Sequence, residues 1–216
     1  MASPQNLPNL QIEQQAVSEG FRCIAGVDEA GRGPLAGPVV VAAVILGAHW
    51  DISHPLNDSK KLSEKQRELL FNIIRTQAQS YSIQVMSPAE IDKINILQAT
   101  LTGMKLAVDK LRVHPDYVLV DGNQYPPLSI KGKTVVRGDA ISMSIAAASV
   151  LAKVARDRIM KGWSKRYPEW DFEQHKGYPT AKHRQAIQIH GLSPIHRRSF
   201  CRSVLSQTQL SLFPTP

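Results

Sequence analysis

Acidic residues stand at three junctions where a short apolar segment meets a glycine-containing turn. They are Asp28, Glu29, Asp121 and Asp139. If the apolar segments are strands of one sheet, their ends bring these carboxylates to one place. Carboxylates that close together repel one another and resist ionisation unless divalent cations neutralise them. Because all the ligands would be oxygens, and no His or Cys lies in these motifs, the pattern predicts a catalytic Mg²⁺ or Mn²⁺ site and disfavours zinc.

The adjacent pair Asp28 and Glu29 raises a geometric question. Neighbouring residues of a regular strand point to opposite faces, so the two share a site only if the chain turns there or Glu29 binds through its carbonyl oxygen. The glycines at positions 31 and 33 favour such a turn. Asp157 is excluded from the site, because the 18 residues that separate it from Asp139 would span about 27 Å as a helix. We expect Asp157 to be a structural partner of a nearby basic residue.

The glycine-containing segment at residues 31–36, GRGPLA, also matches the G-x-G-x-x-G/A pattern of dinucleotide-binding loops. That loop must open a helix, whereas Pro34 and Pro38 lead here into the β-branched run at residues 39–46. The preceding acids would also repel a pyrophosphate. We therefore disfavour a nicotinamide-dependent oxidoreductase and expect the glycines to allow close approach of the backbone to a sugar.

Strand-like and helix-like segments alternate along the chain. The predicted strands cover residues 21–27, 39–46, 81–86, 117–120 and 133–136. Predicted helices follow capping boxes at Ser63 and Ser87, and others cover residues 96–111 and 142–160. This order predicts an α/β domain with a mixed β-sheet flanked by helices. We expect one domain over residues 21–203, a polar lead-in over residues 1–20 and a flexible tail over residues 204–216.

The charge is unevenly distributed. The chain of 216 residues has a formal net charge of +8, but residues 1–130 hold 11 Lys and Arg against 13 Asp and Glu, while residues 131–216 hold 15 against 5. Release of condensed counterions drives such basic surfaces onto phosphate backbones, so we expect the C-terminal part to face nucleic acid. A general role of this basicity in solubility is the alternative.

The sequence favours a cytoplasmic protein with no membrane partner. No apolar run approaches the roughly 18 residues of a membrane span, and the first residues lack the basic and apolar regions of a secretory signal. Cys23 and Cys201 fit no metal spacing and are too few for a disulfide scaffold, in agreement with a reducing compartment. We expect a monomer.

Several motifs together resemble the bacterial type 2 ribonucleases H, the ribonuclease HII family. The motifs, in order, are GVDEAGRGPLAGPVVVAAVIL, DSKKL, VDGN, RGDA followed by SIAAASVLAKVARDRIM, HKGYPT and HRRSF. They extend from about residue 21 to residue 200. The resemblance implies a ribonuclease H-like fold with a C-terminal helical part. It also implies endonucleolytic cleavage of RNA in RNA–DNA hybrids and at single ribonucleotides in duplex DNA, in DNA replication and ribonucleotide excision repair.

The resemblance also assigns roles to individual residues. It carries the metal-binding acids of the family onto Asp28, Glu29, Asp121 and Asp139. It carries the loop that reads the RNA–DNA junction onto Gly31, Arg32 and Gly33, and the tyrosine that packs against the ribose onto Tyr178. Sensing of a ribose 2′-hydroxyl by backbone groups and an aromatic side chain agrees with this assignment. From the residues alone, Tyr178 would be assigned to the core.

Further substrate contacts are predicted among the basic residues. Lys60, Lys61, Arg197 and Arg198 are candidates for holding phosphates. The late histidines have no clear ligand spacing and are assigned to structure or to peripheral phosphate contact; they are His175, His183, His190 and His196. The late aromatic residues are assigned to a satellite core; they are Trp163, Tyr167, Trp170 and Phe172.

The last residues contain a separate motif. The sequence from Gln209 to Phe213, QLSLF, resembles the pentapeptide with which bacterial replication proteins bind the sliding clamp. Gln209, Leu210, Leu212 and Phe213 would make the contacts. The archaeal and eukaryotic clamp motif fits less well, because Pro214 replaces its second aromatic residue. For the whole chain, a non-catalytic nucleic-acid-binding protein of the same fold is the alternative to a nuclease.

Overall fold

The fold was obtained as a computed structural model. It describes residues 7–47, 50, 56, 59 and 62–212. Within these residues, no helix is both long enough and apolar enough to cross a membrane. Lys60, Lys61 and Phe213, which the sequence analysis assigns to substrate and clamp contacts, lie outside the described residues.

A mixed five-stranded sheet confirms the predicted fold class. Its strands are β1 (Ile24–Ala30), β2 (Val39–Ile45), β3 (Ser80–Met86), β4 (Tyr117–Asp121) and β5 (Lys131–Val135). Their order is β3-β2-β1-β4-β5. Strand β1 pairs antiparallel with β2 and parallel with β4, which pairs parallel with β5. Each predicted strand is present, with ends shifted by up to three residues.

The largest shift concerns the acidic pair. The sequence analysis ends the first strand at residue 27 and places Asp28 and Glu29 after it. In the structure both residues lie within β1, because its ladder with β2 continues through Asp28↔Ala42 and Glu29↔Val41. Beyond Val27 the strand pairs with β2 alone, so both acids lie where β1 extends past its ladder with β4.

Eight α-helices are found in the described residues. They are α1 (Gln11–Ser18), α2 (Glu64–Gln77), α3 (Pro88–Ile94), α4 (Ile96–Asp109), α5 (Met143–Arg166), α6 (Phe172–His175), α7 (Ala181–His190) and α8 (Arg198–Leu212). The predicted capping boxes at Ser63 and Ser87 are both formed and begin α2 and α3. In each box the serine hydroxyl oxygen accepts a hydrogen bond from a backbone N–H of the first turn. The Gln or Glu side chain of that turn accepts a hydrogen bond from the backbone N–H of the serine.

Both chain ends contain helix where the sequence analysis expects a lead-in and a tail. Helix α1 lies within residues 1–20, and its Glu13 carboxylate accepts from the hydroxyl of Ser142 and from the N–H and hydroxyl of Ser144. A buried carboxylate at the start of α5 is favoured by the helix dipole. At the other end, α8 continues through residues 204–212, and its Val204 is buried beside Leu35 and Ile187.

The residues predicted as a single domain form two compact units. The first comprises Met1–Ala30, Val40–Val85 and Thr100–Ala155. Its core lies on both faces of the sheet, one of them packed against the Ala-rich part of α5. Gly26 in β1 permits this packing, since a Cβ there would lie 2.2 Å from the backbone of Ser144.

The second unit comprises Gly31–Val39, Met86–Ala99 and Arg156–Pro216. It is mainly helical, as the resemblance implies. The late aromatic residues form part of its core, which confirms their assignment; Trp163 stacks on Tyr167, and Trp170 stacks on Phe172. Cys201 is a buried free thiol of this unit, and Cys23 is a free thiol of the first.

Candidate active site

Adjacent parallel strands bring two of the predicted acids side by side. The β1–β4 ladder ends with Val27 opposite Val120, so Asp28 and Asp121 are the next residues of neighbouring strands. Parallel neighbours lie about 4.8 Å apart, and residues in register project from the same face. The sheet therefore holds these two carboxylates together, as the sequence analysis predicts.

Asp28 lies in an environment that disfavours its charge. Its side chain is only 5% exposed, and it accepts from the Glu29 N–H at 2.6 Å and from the Ser149 side chain. Burial raises the pKa of Asp28 well above its ordinary value, the charges of Glu29 and Asp121 raise it further, and the two hydrogen bonds only partly offset this. Asp28 is thus an acid whose negative charge needs stabilisation.

A serine pair supports this carboxylate. Ser149 of α5 donates to Asp28. The hydroxyl oxygens of Ser149 and Ser59 are 3.0 Å apart. Both serines are buried. Ser59 is therefore linked through Ser149 to Asp28 of β1 by buried hydrogen bonds, and the sequence analysis did not identify either serine.

A tight turn at residues 137–139 brings the segment that contains Asp139 to Asp121. The Gly138 N–H donates to Asp121 Oδ1 at 2.6 Å, and a Cβ on Gly138 would lie 3.2 Å from that oxygen and 2.6 Å from Ile145. The turn is entered through Arg137, whose φ of 57° is a left-handed conformation that non-glycine residues rarely adopt. Asp139 follows in a 3₁₀ turn and is 8% exposed. The RGDA motif therefore places Asp139 one residue from a backbone group bound to Asp121.

The four acids do not form a closed ligand cage. Within the described ranges, no three Asp, Glu, His or Cys side chains are arranged closely enough to hold a metal ion. Asp28 and Asp121 each have a carboxylate oxygen that accepts from a backbone N–H group. The like charges of the carboxylates also repel each other. Glu29 follows Asp28 in a regular strand, so the two point to opposite faces, yet its charge still acts on Asp28.

The donor set nevertheless fits a hard divalent cation. The groups are carboxylate oxygens, which are the preferred ligands of Mg²⁺ and Mn²⁺. Neighbouring carboxylates also raise the pKa of Asp28, so a cation placed among them would relieve the repulsion and restore the charged form. Asp28, Asp121, Asp139 and Glu29 are the residues that would hold such ions.

In the second unit, a buried arginine holds the glycine loop. Arg197 has no exposed surface. It donates to the carbonyls of Gly31 at 2.6 Å, Arg32 at 2.8 Å and Gly37 at 2.9 Å. The prediction that Arg197 contacts phosphate is therefore wrong, because all of its nitrogens are committed to backbone oxygens inside the protein.

This arrangement decides where the loop N–H groups point. In a planar trans peptide the N–H of one residue is directed opposite to the C=O of the residue before it. Because Arg197 binds the carbonyls of Gly31 and Arg32 from the interior, the N–H groups of Arg32 and Gly33 point away from it. Arg32 and Gly33 are both exposed. The Gly33 N–H is thus a backbone donor at an exposed residue of the loop.

A second buried arginine supports the same segment and an aromatic ring. Arg156 donates to the carbonyls of Pro38 at 3.0 Å and Ala36 at 3.2 Å. Gly31 has a φ of 98°, and a Cβ at this position would lie 1.9 Å from the Nε atom of Arg156, so only glycine fits there. The guanidinium carbon lies 5.8 Å from the ring centre of Tyr178. Tyr178 is 43% exposed, so it is a surface residue and does not belong to the core.

The remaining predicted contacts are placed as follows. Arg198 is exposed at the start of α8, where its backbone N–H donates to Asp92 at 2.8 Å; its phosphate contact stays a prediction. His175, His183 and His196 are buried and hydrogen-bonded, which confirms their structural assignment. The backbone of Gln209, Leu210 and Leu212 lies in α8.

Comparisons with known proteins agree with this geometry. The ribonuclease H2 structure from Pyrococcus horikoshii aligns with a TM-score of 0.73 at 27% identity, covering 87% of this chain and 99% of that one. The PCNA:RNase HII complex from Archaeoglobus fulgidus aligns with a TM-score of 0.66 at 25% identity, covering 82% of this chain and 94% of that one. The fold and the carboxylates at its strand ends define the ribonuclease H class of hydrolases.

The sequence comparisons identify the family within that class. The ribonuclease HII of Endomicrobium trichonymphae is 52% identical over 204 residues, which cover 93% of this chain and 97% of that protein. A model of the ribonuclease HII family matches residues 25–203. The chain therefore belongs to the ribonuclease HII family, and it is an endoribonuclease.

Proposed function

We propose that this chain cleaves the RNA strand of RNA–DNA hybrids and single ribonucleotides embedded in duplex DNA. The cleavage is a two-metal-ion hydrolysis that leaves a 3′-hydroxyl and a 5′-phosphate, and it takes place in the cytoplasm. The observation that carries the proposal is that Asp28 and Asp121 directly follow the last registered pair of neighbouring strands, where burial and adjacent charge raise the pKa of Asp28.

The four acids supply the binding site for the metal ions. Asp28, Glu29, Asp121 and Asp139 would hold Mg²⁺ or Mn²⁺, with backbone or side-chain oxygens as ligands. When bound, such ions supply positive charge at the scissile phosphate and acidify a water molecule. The protein itself keeps Asp28 in place through Ser149 and keeps Asp121 in place through the Gly138 N–H.

The glycine loop and Tyr178 would select the ribose. The outward N–H group of Gly33 is a donor suited to a phosphate or a ribose oxygen, and Gly33 has no Cβ to block a close approach. The exposed ring of Tyr178 offers a flat face to the sugar. A deoxyribose lacks the 2′-hydroxyl, so the same groups would lose one hydrogen-bond partner when the substrate is DNA alone.

The proposal is tested with a duplex that contains one ribonucleotide. We expect cleavage by the wild-type protein with Mg²⁺ and none with EDTA. Asp28→Asn and Asp139→Asn should each reduce cleavage by at least about 10³-fold, while binding of the hybrid persists or tightens because negative charge is removed. Asp109→Asn is the matched control, since Asp109 is an exposed acid paired with Lys105 on α4.

The outcomes separate an enzyme from a binding protein. Tight binding of the ribonucleotide duplex without cleavage in Mg²⁺ or Mn²⁺ would establish the non-catalytic alternative. Retained cleavage in Asp28→Asn and Asp139→Asn would show that the reaction takes place elsewhere. Product ends are identified by ligation and by labelling with a kinase, and a 3′-phosphate product would contradict the proposed bond cleavage.

We also propose that the C-terminal segment binds a sliding clamp. The motif QLSLF at residues 209–213 supports this, as does the complex with PCNA that is known for the Archaeoglobus fulgidus protein. Deletion of residues 209–213 should abolish binding to the bacterial clamp and leave cleavage of short duplexes unchanged. Leu210→Ala combined with Phe213→Ala should have the same effect, whereas Ser211→Ala should not. Clamp binding that survives the deletion would refute this proposal.

A further inference from the structure

Three imidazole rings pack together in the second unit, and the proposed function assigns no role to them. The rings of His175 and His183 stack with their centres 4.2 Å apart. The Nε2 atoms of His183 and His196 are 3.0 Å apart. His183 is fully buried and His196 nearly so. Buried titratable groups need defined hydrogen-bond partners, so the proton positions in this cluster can be derived.

The two ends of the His183–His196 pair decide where each proton lies. At one end the backbone N–H of Ser193 donates to His196 Nδ1 at 2.8 Å. A backbone N–H can only donate, so this Nδ1 carries no proton and His196 Nε2 carries one. That proton is donated to His183 Nε2, which leaves the proton of His183 on Nδ1. At the other end His183 Nδ1 lies 2.9 Å from the Tyr178 carbonyl, which can only accept.

The proton assignment is thus consistent from end to end. One proton on each neutral ring satisfies every contact between the Ser193 N–H and the Tyr178 carbonyl. The other tautomer of either ring would place two donors or two acceptors face to face. Burial, followed by the neighbouring histidines, lowers the pKa of His183 and of His196 to about 4, so both rings are neutral at physiological pH.

The third ring holds the residue before Tyr178. The Gly177 N–H donates to His175 Nδ1 at 3.1 Å, so His175 carries its proton on Nε2 and donates it to the Trp170 carbonyl at 2.6 Å. The backbone carbonyl of His175 in turn accepts from the Tyr178 N–H at 2.8 Å. The peptide groups on both sides of the Tyr178 Cα are therefore bound.

We propose that His183 and His196 are positioning residues for Tyr178, connected by a hydrogen-bond relay that runs from the Ser193 N–H to the Tyr178 carbonyl. The relay and the Thr180 N–H, which also donates to the Tyr178 carbonyl at 2.8 Å, hold the peptide that follows Tyr178, while the His175 carbonyl holds the peptide that precedes it. With both peptides held, the direction of the Cα–Cβ bond is set, and Arg156 lies over one face of the ring. The role of the ring in substrate recognition rests on the proposed function; the relay itself does not.

The relay is tested first without any variant or substrate. Nitrogen-15 NMR of the wild-type protein at pH 7 distinguishes protonated from unprotonated ring nitrogens. We expect the Nδ1–H tautomer for His183 and the Nε2–H tautomer for both His175 and His196. An Nε2–H tautomer of His183, or a protonated imidazolium at either position, would overturn the relay.

The positioning role is tested with His196→Asn. The asparagine oxygen replaces Nδ1 as the acceptor for Ser193, but the donor to His183 is lost. With the single-ribonucleotide duplex we expect KM to rise about tenfold, the equivalent of one buried hydrogen bond, while kcat changes less than about threefold. His196→Gln, which keeps a donor at the Nε2 position, should restore most of the loss. His114→Asn is the matched control, because His114 is an exposed histidine of the first unit.

A double-mutant cycle separates positioning from general stability. In a Tyr178→Ala background, His196→Asn should add less than about twofold to KM, since its effect passes through Tyr178. An undiminished effect in that background would refute the positioning role. If His196→Asn does not fold, His183→Gln, which keeps an acceptor for His196 Nε2 but loses the donor to the Tyr178 carbonyl, takes its place in the cycle.

The proposed function and the relay fail in different ways. Absence of cleavage by the wild-type protein would refute the proposed function and leave the tautomer measurement as the test of the relay. Cleavage by the wild-type protein together with wild-type KM in Tyr178→Ala would remove Tyr178 from substrate recognition and overturn the positioning proposal.

Discussion

The two units treat their buried charges in opposite ways. In the first, Asp28 is buried near other carboxylates, and their charges raise its pKa. In the second, Arg156 and Arg197 are just as buried, but all three guanidinium nitrogens of Arg197 and two of the three of Arg156 donate to backbone carbonyls of residues 31–38. The cluster of three histidines in that unit is neutral and hydrogen-bonded at both ends.

The difference separates a reactive site from its supporting scaffold. Buried polar groups stabilise a structure only when they are paired, and an unpaired charge is costly. In the second unit, Arg197 and the His183–His196 pair are hydrogen-bonded and hold the glycine loop and the backbone of Tyr178. The first unit leaves repulsion among its carboxylates, which a divalent cation would relieve. Strain of this kind is typical of functional sites, where stability is exchanged for activity.

The largest effect on stability is expected from removing the arginine that holds the glycine loop. Arg197→Met would remove the donor from three carbonyls, those of Gly31 and Gly37 in buried bonds and that of Arg32 in a partly buried one, at about 1 kcal/mol or more for each. We expect a loss of about 3 kcal/mol or more in the free energy of unfolding, measured by urea denaturation. Arg198→Met is the matched control, since this neighbouring arginine is exposed, and it should change stability by less than about 0.5 kcal/mol. Equal losses in both variants would contradict the scaffold role.

Acid should destabilise the second unit through its histidines. Burial lowers the pKa of His183 and His196 from 6.5 to about 4. The unfolded chain therefore takes up protons first, so the stability of the neutral pair is complete above about pH 6.5 and is lost as the pH falls towards 4. For one histidine the loss is about 3 kcal/mol. The stacked His175 and nearby Arg184 add repulsion once a ring is charged.

Urea denaturation between pH 7 and pH 4.5 measures this loss. The pH dependence should become shallower in His196→Asn and remain unchanged in His114→Asn. A wild-type protein equally stable at both ends of that range would contradict the neutral buried pair.

Asp28 should show the opposite sign. Its pKa is raised in the folded state, so ionisation costs stability as the pH rises above the ordinary value of 3.8, and the cost is present at pH 7. In EDTA at pH 7 we expect Asp28→Asn to stabilise the protein by about 1 kcal/mol, a rise in Tm of about 2–4 °C. Mg²⁺ should stabilise the wild-type protein more than the variant. A lower Tm of Asp28→Asn in EDTA would show that burial and repulsion do not outweigh the hydrogen bonds of the ionised Asp28.

The smallest effect is expected from the serine that supports Asp28. Ser149→Ala removes one hydrogen bond to the carboxylate, so we expect a reduction in kcat of about fivefold, or about 1 kcal/mol. Ser59→Ala acts one step further away and should reduce kcat by less than twofold. A larger effect of Ser59→Ala than of Ser149→Ala would contradict the expectation that Ser149 supports Asp28 directly. Single-turnover cleavage assays measure both.

Much of the fold could be predicted because its signals are local. Apolar runs identified the five strands, and the serines at positions 63 and 87 identified two helix starts, since capping depends on residues only a few positions apart. Helix α1 was missed, because its residues are mostly polar and Glu13 becomes meaningful only when it meets Ser142 and Ser144.

The residue types determined which chemistry this protein can perform. Asp28, Glu29, Asp121 and Asp139 are hard oxygen ligands wherever the chain places them, and their motifs identify the family. The tertiary structure decided which side chains support that chemistry. Arg197 was predicted to bind phosphate but holds the glycine loop, because 160 residues separate it from Gly37 and only folding brings them together. Hydrogen bonds and charge interactions act over a few ångströms of space, so their partners cannot be read from distances along the chain.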